Sequence, residues 1–157
     1  MPDSLYDRDF VIWSETQAER LRRLAAGERV NDVDWDNLIE EVETLGRSEI
    51  QAVESLLEQA LLHAMKVAAR PDDPASSHWR GEIRTFLNNA RRRHTPSMRQ
   101  RIAIPDIYAD ALDAVRQMRL GGPQRPLRDT TNLTLANLLS RDLDTDDLIA
   151  AVSAPTP

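Results

Sequence analysis

The stretch DWDNLIEEVETLGRSEIQAVESLLEQALLHAMKVAAR, residues 34–70, decides the fold. Ile39, Val42, Gly46, Ile50, Val53, Leu57, Ala60, Ala64 and Val67 recur at steps of three and four, which holds one apolar stripe in register for about eight turns of a helix about ten turns long. Asp34 is placed to cap free backbone N–H groups, Val33 and Leu38 occupy the hydrophobic-staple positions, and Asp36 sets negative charge at the positive end of the helix dipole. Lys66 and Arg70 suit the other end, and Pro71 disfavours continuation. At Gly46-Arg47-Ser48 the glycine can end one helix and Ser48 start another, with Gln51 completing a capping box. The stripe keeps its phase across Gly46, so one continuous helix is predicted from about Asp34 to Arg70. About 37 residues at 1.5 Å each span roughly 55 Å, longer than a compact domain of this size needs.

Helical grammar continues on both sides. Upstream, Asp7 reads as a cap flanked by Tyr6 and Val11, opening a helix to about Ala26 with Phe10, Trp13, Leu21 and Leu24 inward and Gly27 as its stop. Downstream, PDDPASSH at 71–78 forms a polar turn, and Ser76 or Ser77 caps a basic third helix with Trp79, Ile83, Phe86 and Ala90 inward. Thr95-Pro96 and then Pro105 restart the chain, and Tyr108, Ala111, Leu112, Val115 and Met118 mark a fourth stripe that ends at Gly121-Gly122-Pro123. Leu133-Thr134 with Leu138, and Thr145 before Asp146-Asp147, open two short helices. The expectation is an all-α helical bundle built around the long central helix (about 34–70), more than about 60 per cent helical. It occupies residues 5–152 as a single domain, followed by a frayed tail at 153–157.

A chain of 157 residues is long enough for one core without a metal or disulfide staple. The absence of cysteine removes disulfides, zinc ribbons and thiol nucleophiles and fits a reducing compartment. The start MPDSLYDRDF has neither a basic region nor an apolar run, so a cytoplasmic protein is expected. The net charge of -6 is unevenly spread. Residues 1–62 carry 15 acids against 6 bases, residues 63–128 carry 6 against 13, and residues 129–157 carry 5 against 1. Acidic helices packed beside basic ones account for this more simply than a polyanion-binding face.

Tyr6-Asp7, Asp9-Phe10 and Trp13, then DNLIEEVE at 36–43 with LGRSE at 45–49, then Leu61-Leu62-His63 with Lys66, and Trp79 with Ile83, follow in order along the chain. Together they closely resemble the bacterial family of helical proteins called domain of unknown function twenty-nine, over roughly residues 5 to 145. The resemblance implies a helical bundle and no established activity. The chain departs from the family pattern at Val67, where an aromatic is usual, and at Arg141-Asp142-Leu143, which replaces an acidic-aromatic ending. A family site built on those aromatics is therefore not carried over.

Signatures of common enzymes are missing: there is no GxSxG, glycine-rich phosphate loop, HExxH or GxGxxG. No catalytic residue, metal or cofactor is assigned. His63, His78 and His94 are the histidines, and none has a glutamate three residues before it, as helical di-iron sites require. His78 and His94 lie near opposite ends of one helix, about 24 Å apart, too far to share a metal. Asp36, Glu40 and Glu43 share a helix face as the densest acidic group, suited to a divalent cation or an arginine-rich partner, or simply to water, with Arg47 one turn on to compensate. His63, Lys66 and Trp79 make the most distinctive polar-aromatic set, suited to a small anion or to proton handling, although packing of Trp79 on the long helix explains it more simply. Arg80, Arg84, Arg91, Arg92 and Arg93 give the third helix a basic face, continued by Arg99 and Arg101.

Three functions follow. The leading one is a non-enzymatic helical interaction domain that binds another protein or a second copy of itself, because the long helix leaves ends free to associate. The second is a nucleic-acid-associated accessory protein using the arginine-rich helix, although no recognition helix or stacking platform is legible. The third is a small-anion binder or enzyme centred on His63, Lys66 and Trp79. No membrane partner is expected.

Overall fold

The computed structural model describes residues 4–155. Of these, 68% are helical and none forms a strand. The helices are α1 (Leu5–Arg8), α2 (Phe10–Ala25), α3 (Trp35–Ala69), α4 (Ser76–Arg93), α5 (Ile104–Gln117), α6 (Leu135–Leu139) and α7 (Thr145–Val152), with a 3-10 turn at Pro96–Met98. The protein is all-α, with one isolated bridge between Leu127 and Ser153 among the described residues. No helix among them is long and apolar enough to cross a membrane. The 35-residue α3 passes through Gly46 without a break, as the unshifted stripe requires. The chain falls into two compact units, Met1–Arg47 and Ser48–Pro157, divided within α3.

The first unit starts one element earlier than its sequence suggests. Asp7 does not cap the first long helix; it closes a capping box with Ser4 around the single turn α1. Asp9 caps α2 instead, its carboxylate accepting from the Ile12 N–H at 3.1 Å. Both residues have the right chemistry, and the spacing from Ser4 to Asp7 settles which one closes a box. At the other end Gly27 adopts φ +85 and ends α2 in a Schellman motif, its N–H reaching Leu24 O and the Glu28 N–H reaching Arg23 O. The predicted inward stripe is realised only in part: Trp13 is buried, Leu24 is half-buried, and Phe10 and Leu21 are exposed. Phe10 stacks on Trp13 at 5.3 Å, and Tyr6 meets Trp13 edge-on at 4.8 Å. The other buried side chain among the described residues of this unit is polar. Gln17 Oε1 accepts the Asp34 N–H at 2.9 Å, while the Asp34 carboxylate accepts from the Trp13 indole N–H at 2.9 Å and from Asn37 Nδ2 at 2.8 Å. These donors, Asn37 first and Trp13 next, hold the Asp34 carboxyl below its ordinary pKa. They also fix the start of α3.

In the second unit almost every residue of α3 from Ala60 to Ala69 is buried, as expected of a helix surrounded by others. Ile83, Leu87 and Ala90 of α4, Tyr108, Ala111, Leu112 and Val115 of α5, and Leu138, Leu148 and Val152 of the short helices complete the core. Leu87 takes a place predicted for Phe86, which is half-buried against the same core. Neither Ser76 nor Ser77 caps α4; Ala75 holds the cap position, and the Asp73 carboxylate accepts its N–H at 2.8 Å. Met118 lies past the end of α5 and is exposed rather than inward. Thr134 caps α6 in a capping box with Asn137, but α7 is capped by Asp144, one residue before the predicted Thr145. The Arg125 N–H donates to Ala69 O at 2.9 Å and so satisfies a terminal carbonyl of α3. Of the residues expected in the tail, Ser153 pairs with Leu127 and the Ala154 N–H donates to Pro126 O. Thr156 and Pro157 lie outside the described residues.

Candidate functional site

The five arginines predicted as one basic face of α4 have different partners. Arg80 is ion-paired with Asp146 in the first turn of α7. Arg93 pairs with Glu49 of α3 at 3.0 Å. Arg84, Arg91 and Arg92 take part in no ion pair among the described residues. Arg91 is instead pinned by neutral acceptors: Nε donates to Leu139 O at 3.0 Å, Nη2 to Ser140 O at 2.7 Å and Nη1 to Asn88 Oδ1 at 2.8 Å. Leu139 and Ser140 end α6, so this fork clamps α4 to α6 and occupies carbonyls that the short helix leaves free. Burial, then the charges of Arg84 and Arg141, push the Arg91 pKa down.

Arg84, Asn88, Arg91, Arg92 and Arg141 line an open cleft of about 480 Å³. Arg141 comes from the turn after α6, and sequence reasoning gave it no role. Its signal was faint: it is the one base in residues 129–157, among 5 acids. Arg91 and Arg141 also line the adjoining hollow of about 690 Å³, which includes Arg99 and His94.

His63, Lys66 and Trp79 come together only in part. The Lys66 ammonium sits 4.4 Å from the centroid of the Trp79 ring, a cation–π contact, and burial lowers its pKa. His63 turns elsewhere: its Nδ1 lies 2.8 Å from Gln59 O, one turn back on the same helix, and its ring packs against Phe86 at 5.2 Å. In this tautomer Nδ1 donates, and the imidazole serves its own helix rather than Trp79.

Asp36, Glu40 and Glu43 share the solvated side of α3 near its start, where Glu43 lies 3.7 Å from Arg47. Glu41, one residue off that face, accepts from the Tyr6 hydroxyl at 2.5 Å, a bond that pushes the phenol up to about 12. Beside the acids lies an apolar face. Trp35, Ile39, Val42 and Leu45 are 55%, 55%, 67% and 68% exposed, and of these Ile39 and Val42 belong to the stripe that the periodicity predicted to face inward. The same period runs along all of α3, and from Ile50 onward the stripe packs into the core, whereas α1 and α2 meet the start of α3 on the side of Asp34 and Glu41 and leave these four side chains uncovered. Among the described residues no group of three or more His, Cys, Asp or Glu side chains has metal-binding geometry.

The chain matches the domain of unknown function DUF29 over residues 5–144. It belongs to that family. The assignment agrees with the residues that carry the resemblance, and it brings no activity with it. The DUF29 chain is also similar to a crystal structure of an alpha-helical protein of unknown function from Rhodospirillum rubrum, with 28% identity and a TM-score of 0.69 over 97% of this chain and 99% of that one. No curated protein matches it.

Proposed function

We propose that this DUF29 protein is a helical interaction module whose first unit docks a basic amphipathic helix of another protein. The observation that carries the reading is the exposure of Trp35, Ile39, Val42 and Leu45 on consecutive turns of α3. Four large apolar side chains on one helix face lose favourable burial unless something covers them. The occupant is named by the border of the face. Asp36, Glu40 and Glu43 flank it, and residues 4–47 carry 11 acids against 6 bases, so a second copy in the same orientation would set carboxylates against carboxylates. A helix with leucines on one side and lysines or arginines beside them matches both the apolar strip and the acidic border.

A synthetic amphipathic helix of leucine and lysine, titrated into the protein and followed by Trp35 fluorescence, tests this. Binding weakened about 10-fold or more by Val42→Asp, and reduced by Asp36→Asn with Glu40→Gln, is the expected result. Equal binding of a leucine–glutamate helix, or no binding of either, would overturn it. Dimerisation at micromolar concentration that Val42→Asp abolishes would name a second copy as occupant and overturn the choice of a basic partner.

A further inference from the structure

Independently of the apolar face, we propose that the cleft formed by Arg84, Arg91, Arg92 and Arg141 binds a small anion bearing two or more phosphate groups. Four guanidinium groups line about 480 Å³ of open space, and no carboxylate lies in its wall. Acids are not scarce in the chain, which has 26 against 20 lysines and arginines. Arginines outside the cleft do find them: Arg80 pairs with Asp146, Arg93 with Glu49 and Arg116 with Asp129. Like charges gathered without a counter-charge repel one another, and an anion bound among them removes that cost.

Arginine is suited to this task because its planar fork meets phosphate oxygens in pairs. Arg91 is pre-organised by its three neutral acceptors, which orient the guanidinium without cancelling its charge. The volume lies in the range of small-ligand sites, yet the wall lacks the apolar and aromatic side chains that grip a drug-like or nucleobase ligand. The ligand is therefore compact and defined by its charge. Room for more than one phosphate group comes from the adjoining hollow, which shares Arg91 and Arg141 with the cleft and brings in Arg99, although Leu135, Ala136 and Leu139 make its wall less polar than that of the cleft. Cleft and hollow together offer five guanidinium groups, those of Arg84, Arg91, Arg92, Arg99 and Arg141, more than a single phosphate group can engage. Duplex nucleic acid fits less well, because the ion pairs at Arg80 and Arg93 interrupt the extended basic stripe on which phosphate-backbone binding depends.

Calorimetric titration with inorganic pyrophosphate, and with sulfate at matched ionic strength, tests the site. Arg91 is left intact because its fork ties α4 to α6. The informative variant is Arg92→Gln with Arg141→Gln, and Arg80→Gln with Arg93→Gln removes the same two charges outside the cleft. Pyrophosphate should bind more tightly than sulfate, the first pair should weaken it about 10-fold or more, and the second should change it less than about 2-fold. No binding by the unmodified protein, equal binding of sulfate, or equal weakening in both double variants would overturn the proposal. Duplex DNA binding tighter than pyrophosphate, with a steep log-log salt slope lost in both double variants, would assign the arginines to nucleic acid and overturn it as well.

Discussion

Arg80 and Arg84 are one turn apart on α4, and only Arg80 finds a carboxylate. Composition cannot separate them; the placement of Asp146 by α7 does. His63 makes the same point with a measurable consequence. Its imidazole is half-buried, and burial, the largest effect, holds its pKa below the ordinary 6.5, with Lys66 and His78 acting in the same sense and Gln59 O and Glu82 against it. The unfolded chain therefore binds the proton more readily than the folded one, so this contribution to stability is complete above about pH 6.5 and is lost as pH falls toward the folded value. The urea midpoint should drop between about pH 7.5 and 5.5, and His63→Gln should shrink that drop. An equal drop in both proteins would sink this account.

At the scale of elements, two glycines of opposite character separate helix propensity from backbone geometry. Gly46 lies inside α3, and a Cβ there meets nothing within 4 Å, so Gly46→Ala should stabilise by about 0.5–1 kcal/mol. Gly122 has φ +77, where an L side chain is strained, so Gly122→Ala should destabilise by about 1–2 kcal/mol even though the Arg70 guanidinium, 2.9 Å from such a Cβ, is a flexible end that can yield. Urea denaturation of both variants checks the pair of signs, and a Gly46→Ala protein less stable than its parent would mean that α3 is not an ordinary helix at that residue. The continuity of α3 was legible because three-four spacing is local and survives a permissive residue. Cap positions slipped by one or two residues, from Asp7 to Asp9 and from Thr145 to Asp144, because neighbouring Asp, Ser and Thr residues compete for the same role. The exposure of Trp35, Ile39, Val42 and Leu45 was not legible, since periodicity gives the direction of a face and not whether anything covers it. Arg141 joined the cleft through a turn that brings sequence-distant residues together, which no spacing rule records.

For the molecule as a whole, the two units differ in what holds them. The described part of the first unit buries Trp13 and Gln17, with an aromatic cluster and the hydrogen bonds of Asp34 around them. The second buries the long run of α3 together with apolar side chains from α4, α5 and the short helices. Each large apolar side chain taken out of water contributes on the order of 1.5–3 kcal/mol, so local opening should require far less free energy in the first unit. Amide exchange resolves this directly. The N–H groups of Phe10–Ala25 should exchange at least about 10-fold faster than those of Ala60–Ala69, because the latter open only when the larger core does. Equal protection of the two segments would show that they open as one cooperative body. The same measurement reports on function: a partner that covers Trp35 to Leu45 binds the folded form of the first unit and must slow its opening by mass action. Saturation with the leucine–lysine helix should therefore slow exchange across α2 and the start of α3 and leave Ala60–Ala69 unchanged. Pyrophosphate should leave both α2 and the start of α3 as they were, since its proposed site lies wholly within the second unit.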